Sequence, residues 1–153
     1  MQTLRQQWQG AGPVRVVFTN GCYDLLHPGH VDLLSRARML GDVLVLALNT
    51  DDSVRRLGKM PAVPARPVQP LAVRAYMAAH LSMVDVVTYF AQDTPLEVVR
   101  LVQPDVLVKG GDWALEQIVG REIVEARGGL VVSLPVLQGY STTALIRNIL
   151  GEG

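Results

Sequence analysis

The chain has 153 residues, of which 49% are hydrophobic and 18% are charged, and it contains a single cysteine. This composition excludes a disordered chain, a disulfide-rich framework and a cysteine-rich zinc module. Basic and acidic residues are equal in number at 14 each, which disfavours a surface built to bind a long nucleic acid. Because no apolar run is long enough to span a membrane and the start does not resemble a signal peptide, we expect one cytoplasmic domain over residues 1–153, without membrane or nucleic-acid partners.

Short β-branched segments alternate with helical patterns along the chain. The segment 43–48 has no polar alternation, which indicates a strand of a parallel sheet that is covered on both faces. The predicted strands are 14–19, 43–48, 84–90, 106–108 and 130–134. The predicted helices are 31–40, 71–81, 95–102, 116–126 and 142–150. We therefore predict an α/β fold, Rossmann-like and doubly wound, with a mostly parallel five-stranded sheet and right-handed crossovers.

Glycine and proline positions predict where several of these elements begin and end. Gly41 is predicted to end the first helix, and Thr94 is predicted to cap a later helix that Pro95 opens. The segment 58–70 carries four prolines, so it is not expected to form regular structure. A loop of this length is either a surface excursion or a lid over a functional site.

Polar, glycine-containing stretches follow three of the predicted strands. They span residues 19–30, 109–113 and 139–143, after the first, fourth and fifth strands. Ligands of open parallel sheets bind outside the carboxyl ends of the strands, where the strand order reverses. We therefore expect these three stretches to converge on one site.

The sequence His27-Pro28-Gly29-His30 is the strongest local signal. Pro28 suits the first turn of a helix, Gly29 lets a ligand approach the backbone, and the two histidines are neighbours on one turn. Two imidazoles at a helix N-terminus indicate an anion site, and a triphosphate bound there would favour their protonated forms. Ordinary capping or surface histidines are the alternative.

The remaining signals are weaker, and each has a simpler explanation. The hydroxyl groups of residues 141–143 either cap the last helix or hold a phosphate. Lys109, followed by two glycines, either lies beside a ligand or forms a solvated turn. A zinc site that combines the two histidines with Cys22 and Asp24 is disfavoured, because no further cysteine or histidine lies close in sequence.

Taken together, the motifs resemble those of the cytidylyltransferase-like nucleotidyltransferases, which have an HxGH element after the first strand and an ISTT-like turn before the last helix. The resemblance covers about 14–150, with Tyr140 in the place of the isoleucine. It is strongest to the adenylyltransferase domains of bacterial ADP-heptose synthases. The matching features are Thr19-Asn20-Gly21, Asn49-Thr50-Asp51, Arg66-Pro67-Val68-Gln69-Pro70-Leu71, Val108-Lys109-Gly110-Gly111-Asp112-Trp113 and Ser141-Thr142-Thr143. Val136 and Leu137 replace the Arg-Thr pair of the glycerol-phosphate cytidylyltransferases.

This resemblance implies the HxGH nucleotidyltransferase fold and a reaction. AMP would pass from ATP, with Mg²⁺, to D-glycero-β-D-manno-heptose 1-phosphate, giving ADP-heptose and pyrophosphate. The family often forms homodimers, and a separate sugar kinase upstream in the pathway would supply the acceptor. The alternatives are a glycerol-3-phosphate cytidylyltransferase, another adenylyltransferase of the family and a non-catalytic nucleotide sensor. A class I aminoacyl-tRNA synthetase is disfavoured, because the chain is too short for the anticodon-binding parts and is not basic.

The resemblance also implies roles for individual residues. The expected catalytic residues are His27, His30, Lys109 and Arg74. The expected nucleotide-binding residues are Asn20, Gly21, Cys22, Tyr23, Asp24, His27, Gly29, His30, Gly110, Asp112, Tyr140, Ser141, Thr142 and Thr143. Arg55 and Lys59 flank the proline-rich segment and are expected to contact the acceptor phosphate. Trp113 is expected either to line the base or sugar pocket or to pack, and no protein ligand for a metal is predicted.

Overall fold

The computed structural model describes residues 6, 8, 12–58 and 66–151. Its centre is a five-stranded sheet in which every neighbouring pair of strands is parallel, with the order β3-β2-β1-β4-β5. The strands are β1 Val16–Gly21, β2 Val43–Asn49, β3 Val86–Phe90, β4 Val106–Gly110 and β5 Leu130–Leu134. The predicted α/β class and parallel sheet are therefore confirmed.

Helices cover both faces of this sheet in the described ranges. They are α1 Pro28–Arg38, α2 Asp51–Arg56, α3 Leu71–Ala79, α4 Leu96–Val102, α5 Arg121–Glu125 and α6 Thr142–Leu150, with a 3₁₀ turn at Leu115–Gln117. None of these described helices is long and apolar enough to cross a membrane. The short helix α2 was not among the predicted helices.

The uninterrupted apolar sequence of β2 is explained by burial on both of its faces. Leu44, Leu46 and Leu48 pack into one core layer with α1 and α3, whereas Val45 and Ala47 pack into the other layer with α4 and α5. Alternate residues of a strand point to opposite faces of the sheet. Because both faces are covered here, every residue of this central strand is removed from water. The strand therefore reads as a continuous hydrophobic run.

The order of the strands reverses between β1 and β4. The chain runs outward from β1 through β2 to β3, returns to place β4 on the other side of β1, and ends with β5 at that edge. The loops that leave β1 and β4 therefore diverge from neighbouring strand ends, and ligands of such sheets bind in the crevice between them. Asn20 and Gly21 in β1 and Lys109 in β4 lie at these ends.

Several predicted boundaries are wrong. The first strand begins at Val16 rather than at residue 14. Gly41 does not cap α1, which ends at Arg38; a Cβ at Gly41 would lie 2.6 Å from the carbonyl oxygen of Arg15, so this glycine is needed for close packing. Pro95, not Thr94, is the N-cap residue of α4, and it provides no side-chain cap.

The predicted helix 116–126 is also wrong, because it is two short elements. A 3₁₀ turn ends at Gln117 and α5 begins at Arg121, with Gly120 between them at a φ of +93°. This left-handed conformation suits glycine and interrupts a helix. The break lets the 3₁₀ turn and its flanking residues lie over the carboxyl end of the sheet.

Aspartates brace the opposite, amino end of the sheet. Asp105, just before β4, accepts a hydrogen bond of 2.8 Å from the backbone N–H of Val16 in β1. Asp85, just before β3, accepts one of 2.7 Å from Leu44 in β2. In each case the carboxylate satisfies the N–H of a neighbouring strand where the ladder begins, and a buried N–H without a partner is costly.

We predict that Asp105→Ala lowers the free energy of unfolding by about 1–3 kcal/mol, because it leaves the buried N–H of Val16 without its acceptor. Asp105→Asn should cost less, since it retains an oxygen acceptor. Urea denaturation measures both changes. Asp52→Ala, which removes a carboxylate from an exposed surface pair, is the control and should stay within about 0.5 kcal/mol of the parent. An Asp105→Ala protein as stable as this control would contradict the bracing role.

Candidate active site

The two histidines of the HxGH sequence form a stacked pair at the start of α1. Their ring centroids are 3.8 Å apart with an interplanar angle of 22°, and the ring of Tyr23 lies 4.8 Å from that of His30. Pro28 occupies the first turn of the helix, and His27 is its N-cap residue without a side-chain cap. A Cβ at Gly29 would meet the His27 ring at 3.0 Å, so Gly29 makes room for this imidazole.

Burial favours the neutral forms of both imidazoles. Burial, with smaller contributions from His27 and Arg66, lowers the pKa of His30 to about 4. Burial also lowers the pKa of His27 below its ordinary value. The Nδ1 atoms of both rings are buried and have no hydrogen-bond partner among the described residues. A polyanion brought close to the pair would raise both pKa values again.

A buried carboxylate ties the histidine loop to the far end of the proline-rich segment. Asp24 is 1% exposed and accepts hydrogen bonds from Arg66 Nε at 3.0 Å and from the backbone N–H groups of Val68 and Gln69, both at 2.9 Å. Both of its oxygens are therefore in use. Asp24 fixes the path of the chain and orients the guanidinium of Arg66 beside the histidines.

Arg74 lies below this loop as a buried charge that is only 1% exposed. Its guanidinium donates to the carbonyl oxygens of Gln69 at 3.0 Å, Cys22 at 2.7 Å and Asn49 at 2.8 Å, and to Asp51 Oδ1 at 2.7 Å. These acceptors belong to segments that follow β1, end β2, begin α2 and precede α3. Arg74 therefore connects these four segments to one another through its hydrogen bonds.

The N-terminus of α6 faces the histidine loop from the other side. Ser141 caps the helix, because its Oγ accepts a hydrogen bond of 3.0 Å from the backbone N–H of Ala144. The hydroxyl of Thr142 donates to the carbonyl oxygen of Leu25 at 3.4 Å and so links α6 to the histidine loop. The remaining N–H groups of the first turn give this end a partial positive charge that favours anions.

The loop after β4 lies beside Lys109, whose ammonium is a positive charge at the site in addition to the Arg66 guanidinium. Lys109 Nζ lies 5.6 Å from the ring centroid of Trp113, and the indole Nε1 of Trp113 donates to the carbonyl oxygen of Gly110 at 3.0 Å. Ser133 of β5 accepts a hydrogen bond of 3.1 Å from the backbone N–H of Trp113. Gly111, at a φ of +115°, makes this tight turn possible.

These elements enclose a cavity of about 360 Å³, which we call the histidine cleft. Most of the residues predicted to bind nucleotide line it. They are Asn20, Gly21, Cys22, Tyr23, His27, Gly29, His30, Gly110, Tyr140, Ser141, Thr142 and Thr143, and Lys109, predicted as a catalytic residue, lines the cleft as well. The three polar stretches therefore converge as the sequence predicts.

The other predicted site residues do not line this cleft. Asp24 and Arg74 lie beneath it. Asp112 is exposed, and Arg55 is exposed on α2, where it pairs with Asp52. Lys59 and most of the proline-rich segment fall outside the described residues, so both alternatives for that segment, a surface excursion or a lid, stay open.

Arg66 lines the cleft but was not predicted as a site residue. Its sequence signal was present, since it begins the Arg66–Leu71 match to the heptose branch. The match alone does not show whether Arg66 lines the site or only stabilises the shape of a loop. Only the fold shows that Asp24 draws the Arg66 guanidinium to the histidines.

Comparisons with known proteins identify relatives of this sequence. A family model described as cytidylyltransferase-like matches residues 18–148. A protein named bifunctional protein HldE from Nitrobacter winogradskyi is 50% identical over 140 residues, which cover 92% of this chain and 28% of that protein. Its namesake from Bradyrhizobium sp. strain ORS 278 is 52% identical over 139 residues, which cover 91% and 27%. The chain therefore spans less than a third of these curated relatives.

Solved structures share the fold. The lipopolysaccharide core biosynthesis protein from Thermoplasma volcanium superposes with a TM-score of 0.65 at 24% identity, covering 84% of this chain and 100% of that one. Pantothenate synthetase from Thermus thermophilus superposes with a TM-score of 0.53 at 20% identity, covering 95% of this chain and 71% of that one. At these identities the likeness describes the arrangement of helices and strands.

We predict that Arg74→Met lowers the free energy of unfolding by about 3 kcal/mol or more, because it removes a buried charge that satisfies several buried acceptors at once. Arg100→Met, at an exposed helical arginine paired with Glu97, is the matched control and should change stability by about 0.5 kcal/mol or less. Urea denaturation compares them. An Arg74→Met protein of parental stability that has lost turnover would instead place Arg74 in the chemistry.

We predict that acid destabilises the fold in part through His30. Its pKa is about 4 in the folded protein and 6.5 ordinarily, so between these values the unfolded chain binds more protons. Stability therefore falls as the pH is lowered from about 6.5 towards 4. The drop in urea midpoint between pH 7 and pH 5 should be smaller in His30→Gln than in the parent. His80→Gln, remote from the cleft, should retain the full drop, and equal drops in all three proteins would refute the assignment.

Proposed function

The chain belongs to the cytidylyltransferase-like family and is a nucleotidyltransferase, and we propose that it transfers AMP from ATP to D-glycero-β-D-manno-heptose 1-phosphate, giving ADP-heptose and pyrophosphate. The observation that carries the proposal is the histidine cleft. It brings the His27–His30 pair, the N-terminus of α6 and the Lys109 ammonium around one cavity at the switch point of the sheet. Such a set of donors and positive charges suits a nucleoside triphosphate.

The cleft accounts for how the triphosphate would be held. The β- and γ-phosphates would lie between the histidine pair and the first turn of α6, where helix N–H groups point at the ligand. Lys109 and Arg66 would neutralise further charge. The phosphates would raise the depressed pKa of His30, so the imidazole would gain a proton when ATP binds. The charge on the leaving pyrophosphate would then be stabilised by groups already in place.

Magnesium would enter with the nucleotide. The residues that line the cleft include no carboxylate, and the carboxylate of the buried Asp24 already accepts three hydrogen bonds. Mg²⁺ prefers water and phosphate oxygens. The residues therefore fit a magnesium–triphosphate complex in which the protein holds the phosphates, and the ion, when bound, would offset charge that develops during transfer.

The chemical step would need positioning rather than a protein base. An oxygen of the acceptor phosphate, already ionised at neutral pH, would form a bond to the α-phosphorus. The bond from that phosphorus to the bridging oxygen would break, and its electron pair would leave with pyrophosphate. No proton has to be removed from the attacking oxygen. His27 and His30 would act only on the leaving group, by donating hydrogen bonds to it.

The choice of a heptose acceptor rests on the heptose-branch motifs and on the relatives, whose name describes bifunctional proteins. A kinase activity, on a separate chain or domain, would supply the sugar 1-phosphate. A cytoplasmic location, where ATP is available, and a homodimeric state complete the proposal. Arg55 and Lys59 remain proposed contacts of the acceptor phosphate.

The decisive measurement is pyrophosphate release with ATP or CTP crossed against heptose 1-phosphate or glycerol 3-phosphate, in the presence of Mg²⁺. We expect release only with ATP and heptose 1-phosphate. His30→Ala should reduce this turnover at least about 100-fold, because a donor to the leaving group is lost. Its circular dichroism spectrum should stay that of the parent.

His80→Ala is the control for this assay, since His80 contacts the carbonyl oxygen of Tyr76 on α3 and does not line the cleft. It should turn over at the parental rate. Release with CTP and glycerol 3-phosphate would reassign the acceptor and the base, and bound ATP without release in any pairing would favour a nucleotide sensor.

A further inference from the structure

Four buried polar side-chain atoms in the described part of the chain have no hydrogen-bond partner, and all four belong to residues 19–30. They are Thr19 Oγ1, Tyr23 Oη, His27 Nδ1 and His30 Nδ1. Buried polar groups of folded proteins are almost always paired, so each exception needs an explanation. Here the exceptions gather at the histidine cleft, which points to a functional explanation.

Tyr23 connects the hydroxyl groups of this set to the histidine pair. Its ring centroid lies 4.8 Å from that of His30, and its side chain is only 4% exposed. Thr19 is fully buried and, by the alternation of β1, faces the same core layer as Val17, the layer that also contains Tyr23. Burial raises the pKa of the Tyr23 phenol above its ordinary value, and the neighbouring Thr19 hydroxyl partly offsets this rise. The phenol is therefore protonated at neutral pH.

The backbone around Tyr23 is shaped to hold the ring in this position. Tyr23 has a φ of +46°, a left-handed conformation that is uncommon for a bulky residue. Gly21 leaves space for the ring, because a Cβ there would lie 2.9 Å from Tyr23 Cε2. Strained conformations of this kind cluster at active sites, where the surrounding structure maintains them. The conformation is thus a second observation that ties Tyr23 to the work of the cleft.

The hydrogen that His30 presents to the cleft depends on the partner of its other ring nitrogen. His30 lines the cleft and its Nδ1 atom is buried, so a ligand reaches the ring through Nε2. A neutral imidazole donates from Nε2 only when Nδ1 acts as the acceptor, and the partner of Nδ1 selects this tautomer. A hydroxyl group can donate to Nδ1, and it can accept from Nδ1–H once the ring is charged.

The two hydroxyl groups are placed to serve His30 rather than His27. A Cβ built at Gly29 would lie 3.0 Å from His27 Nδ1, so that atom faces the backbone at the start of α1. The aromatic contact with Tyr23 is made by the His30 ring. Hydrogen bonds of catalytic groups are often long or poorly aligned until substrate binds, which explains why the phenol and Nδ1 are neighbours and not yet partners.

We propose that Tyr23 is a positioning residue for His30: its ring fixes the plane of the imidazole, and its hydroxyl group, together with that of Thr19, serves Nδ1 and so directs the N–H of Nε2 into the cleft. This inference rests on the proposed function, since it takes His30 as a donor to the leaving pyrophosphate. It means that the histidine must present the correct nitrogen as well as lie in the correct place.

Tyr23→Phe tests the hydroxyl group, because it keeps the ring. We expect kcat to fall about 2- to 12-fold, the effect of losing one hydrogen bond, with KM for ATP little changed, since the phenol acts through His30 in the transition state. The urea midpoint should stay close to that of the parent, because the lost hydroxyl has no partner in the structure. Tyr89→Phe, the same change at an exposed residue of β3, is the matched control and should leave kcat unchanged.

Thr19→Val removes the other hydroxyl group and should also lower kcat. Combined with Tyr23→Phe, it should lower kcat by less than the product of the two single effects, because both hydroxyl groups serve one nitrogen atom. Independent, fully multiplicative effects would contradict the shared role.

The ¹⁵N signals of the His30 imidazole test the inference without turnover. At a pH above the ordinary histidine pKa of 6.5, they show which nitrogen of the neutral ring carries the proton. We expect Nε2–H in the parent and in Tyr89→Phe, and a larger share of Nδ1–H in Tyr23→Phe. A role of the hydroxyl in stability alone would not move these signals.

Two results would overturn the inference: Nδ1–H as the main form in the parent, or the same ¹⁵N signals and the same kcat in Tyr23→Phe as in Tyr89→Phe. A parent protein that shows the expected signals and their change in Tyr23→Phe, yet releases no pyrophosphate, would refute the proposed reaction and still support the positioning of His30 by Tyr23.

Discussion

The site depends on one buried guanidinium. Arg74 joins the ends of β1 and β2, the start of α2 and the approach to α3 through hydrogen bonds of 2.7 to 3.0 Å. Loops at the end of a parallel sheet have no ladder to hold them, and their carbonyl groups still need partners. A planar donor with a fixed fork can satisfy several such groups at once. Asp24 complements it by accepting from the segment just before α3.

This framework permits an unusual electrostatic state above it. Two imidazoles can stack 3.8 Å apart and be partly buried only if they are not both charged, and burial lowers the pKa of each. Arg66, oriented by Asp24, discourages protonation of His30 further until an anion arrives. The free energy needed to protonate an imidazole of the pair would come from ligand binding, so the pair would add to the positive charge of Lys109 and Arg66 mainly when triphosphate is present.

The sequence predicts the sheet and the convergence of three polar stretches because both depend on local patterns, such as the apolar run of β2 and the His27–His30 spacing. It does not predict which of the nearby arginines faces the cavity. Arg74 and Arg66 both lie near matched motifs. Arg74 donates its hydrogen bonds to backbone carbonyl groups and to Asp51, whereas Arg66 lines the cleft. That difference is set by contacts with Asp24 and Asn49, distant in sequence. The break at Gly120 has the same origin, since a Cβ there would meet Val99 of α4 at 3.0 Å.

The topology explains why the histidine cleft shares an edge with a second cavity of about 270 Å³, which Leu107 and Trp113 line. In a sheet with the order β3-β2-β1-β4-β5, the loops after β1 and β4 leave neighbouring strand ends, and helices pack on both faces. A ligand at the end of β1 can therefore reach towards both faces of the sheet. A transfer reaction needs a leaving group and an attacking group on opposite sides of one phosphorus atom. Gly21, where a Cβ would lie 2.9 Å from the Tyr23 ring, and Lys109 line both cavities, and in the proposed transfer they would lie beside that phosphorus atom.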